Sequence, residues 1–361
     1  QWISRRSKLF NKKMILMLAL LTAVVAGAAN AGEAGDMKVY GKLHMSVNSI
    51  NDGENSALGL SSNTSRFGIK GTSEMNDTFT LIWQFEQKLN LAQKGEDTLA
   101  NRNSFLGLKG TWGTALWGIH DTPYKTLGRK TTFFYDSIGD NRQVMMHVDD
   151  RTDDYIMYFT PDFSGFGIQA GYEFDQNDAA SDNSATSFAG MAHYAKDAFF
   201  IGIAYETLSK GMFSPEEDPD VKSEKRMRFA GKYTAEKFAV ALSYQMLTDY
   251  MGVENWKSST FGGEAMFHAS PEIGIKAGYY IVDPDSDEIS GMTDLGASLL
   301  AVGVDYNFTK AVQLYLQYAG VMNKDNGDFH LGDYNGFGAP TDVSAAGETV
   351  SGFSFGSVVK F

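Results

Sequence analysis

The chain has 361 residues, with no cysteine, 7 prolines, 38 glycines and 13% aromatics, a mixture that favours many short strands and turns over helices. The absence of cysteine excludes a disulfide framework and any thiolate metal site. With 44 acidic against 31 basic residues and a formal net charge of −13, the chain is a poor partner for nucleic acid, whose phosphates require a basic surface.

In chain order, Lys12 and Lys13 precede the apolar run MILMLALLTAVVAGAANA, which ends in the small-residue box Ala29-Asn30-Ala31 before Gly32. A charged start, an apolar middle and a small-residue end are the parts of a secretory signal. Residues 1–31 are therefore expected to be a removed leader and residues 32–361 the folded unit. The apolar run is shorter than the ~20 residues of a spanning helix, and no later run approaches that length. Losing the leader removes Arg5, Arg6, Lys8, Lys12 and Lys13 and leaves the remainder more acidic. If such an exported chain is embedded in a membrane, it must be a closed barrel, the only fold besides the helix that satisfies its backbone hydrogen bonds in lipid.

Beyond the leader the apolar residues recur with period 2. In TFTLIWQFEQKLNL, Phe79, Leu81, Trp83, Phe85, Leu89 and Leu91 share one face, while Thr80, Gln84, Glu86, Lys88 and Asn90 take the other. That is a strand with one oily and one wet face. The same alternation returns at Ile273, Ile275, Ala277, Tyr279 and Ile281, and at Val312, Leu314, Leu316 and Tyr318 against Gln313, Tyr315 and Gln317. About sixteen segments are expected, near 37–50, 63–74, 78–91, 101–111, 114–120, 151–160, 166–175, 184–196, 198–209, 225–234, 238–250, 258–269, 272–282, 294–308, 311–322 and 347–361. Short connections such as Met75-Asn76-Asp77 alternate with long ones at 51–62, 92–100, 121–150, 210–224, 283–293 and 323–346. Short turns on one rim, long loops on the other and an even strand number predict an all-β transmembrane antiparallel barrel. The last segment places Phe353, Phe355, Val359 and Phe361 on one face, as an interface girdle would, and Trp83, Tyr172, Tyr244 and Phe308 fit the same belts.

The connection at 121–150 stands apart. It lacks the strand pattern, carries Tyr124, Phe133, Phe134 and Tyr135, and is flanked by Arg102, Lys109, Lys125, Arg129 and Arg151. A plain surface loop of that length is uncommon, and so much aromatic mass argues against disorder. The expectation is a loop that folds back into the structure.

Several stretches together resemble the trimeric, sixteen-stranded general porins of Gram-negative outer membranes. They are Val39-Tyr40-Gly41-Lys42-Leu43, Ser65-Arg66-Phe67-Gly68-Ile69-Lys70-Gly71, Arg102 to Gly110, Thr122-Pro123-Tyr124-Lys125, Arg151 with Tyr158 to Phe166, and the aromatic Phe361. The resemblance implies a water-filled channel for passive diffusion of ions and small hydrophilic solutes, narrowed by the third extracellular loop folded inward. It also implies a homotrimer in outer-membrane lipid and lipopolysaccharide, with Phe361 as a signal to the barrel-assembly machinery. Family members set a ladder of basic wall residues opposite acidic loop residues. Carried over by motif, the ladder is Arg66, Arg102 and Arg151, joined by Lys70 and Lys42, and the loop acids are Asp136 and Asp140, with Asp121 third. Asp153 and Asp154 depart from the family pattern beside Arg151.

Catalytic and metal chemistry find little support. The six histidines, at 44, 120, 147, 193, 268 and 330, form no His-x-x-x-His pair, and no Gly-x-Ser-x-Gly elbow occurs. No catalytic residue, cofactor or metal ligand is assigned, and the acidic runs at 149–154, 215–220 and 283–288 lack the spacing of a calcium loop. The alternatives to a general porin are a substrate-specific outer-membrane channel and, in another class, a barrel phospholipase using Ser with His120 at the lip of the loop. For a channel, acid-rich outer loops favour cations at low salt. Arginines at a constriction are screened far less and should shift the preference toward anions as salt rises.

Overall fold

The computed structural model describes residues 35–53, 55–92, 99–146, 148–175, 185–214, 218, 220–285, 293–331 and 346–361. The expected leader, His147 and most of the acidic run at 215–220 lie outside these residues, as do 286–288 of the run at 283–288. The first strands are β1 Met37–Asn51, β2 Ser56–Ser62, β3 Arg66–Glu74, β4 Thr80–Leu89, β5 Leu99–Asn101, β6 Ser104–Gly110, β7 Gly113–Asp121, β8 Arg151–Phe159 and β9 Phe166–Glu173. They are followed by β10 Ser187–Lys196, β11 Phe199–Leu208, β12 Glu224–Thr234, β13 Phe238–Thr248, β14 Lys257–His268, β15 Ile273–Asp285, β16 Ala297–Asn307, β17 Val312–Asn323 and β18 Thr349–Lys360. Each wall strand pairs antiparallel with the next, and β1 pairs with β18 from Lys42 opposite Lys360 to Asn51 opposite Ser351, which closes the wall. At that seam Gly41 N–H donates to Phe361 O at 2.9 Å.

These eighteen strands make sixteen wall strands among the described residues, because β2 and β3 pair with successive parts of β1, and β5 and β6 with successive parts of β4. Two stretches read as long connections therefore hold strand. Residues 51–62 contain β2, where Leu58 and Leu60 alternate onto the oily face, and 92–100 end in β5. The turn composition of Asp52 to Asn55 hid the first, since the strand resumes directly after it.

The two faces of the wall differ as the alternation requires. Val47, Phe85, Leu106, Ile203, Phe261, Ile281, Leu316 and Phe353 stand exposed on one face, while Lys42, His44, Glu86, Arg228, Glu264, Tyr315 and Gln317 are buried on the other. An apolar belt on this scale suits hydrocarbon rather than water. Among the described residues no helix is long and apolar enough to cross a membrane.

Three irregularities interrupt the wall, and all three fall where charged side chains cluster. Asn63 to Ser65 separates β2 from β3, with Thr64 in the left-handed region at φ 55°. Arg102 and Asn103 separate β5 from β6, and the β7–β8 register shifts between Gly118 and His120, with Gly118 at φ 134°. A Cβ at Gly118 would lie 2.5 Å from the Ser104 carbonyl oxygen, so that kink needs glycine. Bulges of this kind bend a strand and re-aim its side chains.

Residues 122–150 form no strand among those described; they fold as two short helices, α1 Pro123–Lys130 and α2 Asn141–Val144. Thr122 caps α1 by accepting from Lys125 N–H at 3.3 Å, Pro123 fits the first turn, and Arg129 and Lys130 sit at the negative end of the helix dipole. Tyr124, Leu127 and Val148 pack with Met191, Ala204, Ala230 and Leu247 of β10 to β13. Phe134, Ile138, Val144 and Met145 pack with Tyr280, Val282, Leu299 and Val321 of β15 to β17. Each fully buried side chain of this size stabilises by about 1.5–3 kcal/mol, so the segment stands on two apolar feet. The polar stretch between them carries the charges.

Candidate functional site

On the wall of β3, β4 and β6 to β8, basic side chains share two carboxylates. Glu86 accepts from Arg102 Nε at 2.7 Å and from the Tyr40 hydroxyl at 2.9 Å, and lies 3.5 Å from Arg66 Nε. Asp121 is 2.7 Å from Arg151 Nη2 and 3.5 Å from Lys125 Nζ, and also pairs with Arg129. Asn103, in the second interruption, accepts from Arg151 Nε at 2.8 Å and from Asp121 N–H at 3.2 Å. The interruption thus aims Arg151 through Asn103.

Lys42 Nζ and the Thr64 hydroxyl both donate to Asp136 Oδ2, at 2.8 and 2.5 Å. The first strand interruption thereby pins the loop. Burial opposes the charge of Asp136, but Lys42 and Thr64 outweigh it and hold its carboxyl well below the usual range. Asp140 takes a different place: it caps α2, accepts from Arg142 Nη2 at 2.6 Å and from Asp136 N–H at 2.9 Å. Its burial prevails over Arg142 and raises its carboxyl above the ordinary value.

On the wall of β11 to β14 the charges are buried and tightly shared. Arg228 donates to Asp149 Oδ1 at 2.7 Å, to Tyr124 O at 3.0 Å and to Gln245 Oε1 at 2.6 Å, while Arg142 donates to Asp149 Oδ2 at 2.8 Å. Arg226 donates to Glu224 at 2.5 Å, to Glu206 at 2.8 Å and to Val148 O at 2.9 Å, and also pairs with Asp150. Glu264 accepts from the Thr132 hydroxyl at 2.9 Å, from Asn141 at 3.3 Å, from the Tyr280 hydroxyl at 3.2 Å and from Phe133 N–H. These contacts fix the loop from end to end.

The expected site residues therefore divide. Lys42 meets Asp136, and Arg151 meets Asp121, whereas Arg66 and Arg102 meet Glu86 of their own wall. Asp140 pairs with Arg142 of its own segment. Lys70 is exposed and stands 5.0 Å from the centre of the Tyr40 ring. Glu86, Arg129, Arg142, Arg226, Arg228 and Glu264 were not singled out by motif. A signal existed for the β12 pair: Glu224, Arg226 and Arg228 alternate with Lys225, Met227 and Phe229, which puts three charges on one face of a strand. Glu264, alone behind two glycines, gave none.

Water reaches the two signs of charge unequally. The side chains of Arg129, Arg66, Arg151 and Lys125 keep 27, 18, 17 and 16% of their surface, while Glu86 keeps 9% and Asp121 2%; Arg102, at 8%, is as buried as the Glu86 it binds. The carboxylates sit behind and the cations in front. Three cavities adjoin this surface: one of about 340 Å³ lined by Lys42, Arg66, Lys276 and Lys360 among others, one of about 400 Å³ lined by Asn103, His120, Arg129 and Lys130 among others, and one of about 290 Å³ in which Arg151 and Arg226 stand among Asp150, Asp153, Glu173 and Glu206. Among the described residues no group of three His, Cys, Asp or Glu could hold a metal ion.

A family model described as Gram-negative porin matches residues 18–326. The major outer membrane protein P.IB of Neisseria meningitidis serogroup B / serotype 15 (strain H44/76) is 25% identical over 328 residues, covering 88% of this chain and 95% of that protein. Among solved structures, the anion-selective porin from Comamonas acidovorans superimposes with a TM-score of 0.73 at 19% identity, covering 91% of this chain and all of that one. The trimer form of OmpT, an outer membrane protein of Vibrio cholerae, does so with a TM-score of 0.65 at 18% identity, covering 91% of this chain and 100% of that chain. At such identities the structural likeness bears on the fold alone.

Proposed function

The chain belongs to the Gram-negative porin family, and on that premise we propose that segment 122–150 narrows its channel and that the cations exposed there make the constriction favour anions. The protein is an outer-membrane channel for passive diffusion. Its family consists of channels, and we extend that to this chain in treating it as a non-enzymatic conduit for ions and small hydrophilic solutes.

The observation that carries the anion preference is the unequal exposure of Arg129, Arg66 and Arg151 against Asp121 and Glu86. A permeating ion passes within a few ångströms of the guanidinium groups, whereas the carboxylates act through them. Fixed charge at a narrow aqueous gap sets ion preference, and arginine keeps its charge at any relevant pH. The name of the Comamonas porin agrees with this reading. In planar bilayers under a KCl gradient, Arg129→Ala should move the reversal potential toward cations, with Arg66→Ala and Arg151→Ala next and the more buried Arg102→Ala least. Unchanged potentials in Arg129→Ala and Arg66→Ala together would refute the charge assignment.

Assembly as a homotrimer in outer-membrane lipid is part of the same proposal, supported by the trimeric OmpT neighbour and by the apolar outer belt. The belt also fits contact with lipopolysaccharide, and the exposed Phe361 fits recognition by the barrel-assembly machinery. Native electrophoresis in mild detergent should give a trimer band, and monomer alone would count against it.

A further inference from the structure

We infer that Tyr135 is the specificity-determining partition of this channel: its ring divides the conduction path into two cation-lined chambers and sets the size of anion that crosses between them. This rests on the placement of segment 122–150 in the conduction path. Among the described residues, Tyr135 is the one side chain that lines both the 340 Å³ and the 400 Å³ cavity.

Each chamber has an excess of basic lining. Lys42, Arg66, Lys276 and Lys360 face Asp305 in one, and Arg129 and Lys130 face Asp121 in the other. The ring is held from both sides. Lys42 Nζ, from the first chamber, lies 5.2 Å from its centre, and the Arg129 guanidinium, from the second, lies 5.0 Å away. The guanidinium of Arg142, itself buried in the ion pairs with Asp140 and Asp149, lies 5.0 Å from the same ring. Three cations within reach of one aromatic face system fix its position. Its neighbours add to this: Asp136 is tied to Lys42 and Thr64, and Phe133 N–H to Glu264.

A fixed ring between two cationic chambers does what a charge ladder alone does not. The chambers attract anions of any size, and the ring admits them by width. Small anions such as chloride pass readily, while a polyhydroxylated carboxylate such as gluconate is retarded at the ring. The hydroxyl is not needed for this, only the aromatic width.

The test measures single-channel conductance and the gluconate-to-chloride permeability ratio in planar bilayers for wild type, Tyr135→Ala, Tyr135→Phe and Tyr135→Trp. Heat-modifiable mobility first confirms that each variant is a folded barrel. Tyr135→Ala should raise the ratio by roughly two-fold or more, because pore width and lining at a constriction control passage. Tyr135→Phe should match wild type and Tyr135→Trp should lower the ratio. A ratio unchanged in both Tyr135→Ala and Tyr135→Trp overturns the inference, even where Arg129→Ala shifts the reversal potential and so upholds the charge assignment. The converse result, unmoved potentials in both Arg129→Ala and Arg66→Ala with a raised ratio in Tyr135→Ala, keeps the partition and removes the charge filter. Should Tyr135→Ala not fold, the Phe and Trp pair decides: equal ratios in those two overturn the inference.

Discussion

Arg66, Arg129 and Arg151 lean on just two carboxylates, Glu86 and Asp121, and keep about a fifth of their side-chain surface in water. Across the barrel, Arg226 engages Glu206, Glu224 and Asp150, and Arg228 engages Asp149, with both arginines buried. The residue types are the same in the two regions, and the number of partners and the access to water separate their work. A guanidinium with surplus charge toward water acts on passing ions. One surrounded by carboxylates and carbonyls is a fastener, here for the end of segment 122–150 at Val148 to Asp150. Charge count alone would have ranked all five together.

The sharpest way to break this comparison is to truncate one arginine on each wall and measure stability. Arg226→Ala leaves Glu206 and Glu224 buried without their shared cation, a loss of about 3–5 kcal/mol for a broken buried network. Arg66→Ala removes a partly exposed pair separated by 3.5 Å, worth less than about 1 kcal/mol. Midpoints of unfolding in detergent should therefore fall steeply for the first and barely for the second. Equal shifts would show that the two walls do not differ in kind.

A smaller effect follows from pH. Burial opposes the charge of Asp149, but Arg228, Arg142 and Lys125 hold its carboxyl at about 2. A depressed carboxyl contributes stability that is present above its unfolded value of about 3.9 and lost as pH falls toward the folded one, here roughly 2 kcal/mol between about pH 4 and 2. Asp136 is lowered too and adds to the loss, while Asp140, raised, runs the other way. Protease cleavage of segment 122–150 should accelerate over that acid window in wild type and show a flatter dependence in Asp149→Asn. Identical acid profiles would detach the Asp149 cluster from loop anchoring.

How much of this was legible in the sequence follows the same division. The alternation of Leu314 and Leu316 against Tyr315 and Gln317 gave the wall strands, and the rhythm of short turns and long loops over an even number of them gave the barrel, since alternation alone fits a sandwich as well. The aromatic load of 121–150 marked a segment whose Tyr124 and Phe134 are fully buried. The motif residues Arg66, Arg102 and Arg151 were visible. Of their partners Asp121 was named as a facing acid, though not as the mate of Arg151 across a bulged register, while Glu86, one strand away from Arg66 and Arg102, was not named. Pairing and exposure decide what each charge does, and neither has a local signature. Tyr135 shows the same limit: nothing around it in the chain distinguishes it from Phe133 or Phe134, and only the cavities on its two sides do.

The central claim, that exposed guanidinium groups rather than the acidic total of the chain set the ion preference, is tested most directly by the reversal potential of wild type and Arg129→Ala under KCl gradients at low and at high salt. The account predicts a wild-type potential that moves toward anion preference as salt rises and screens the outer acidic charge, and a high-salt potential displaced toward cations in Arg129→Ala. A cation preference that is independent of salt and untouched by the substitution would contradict it.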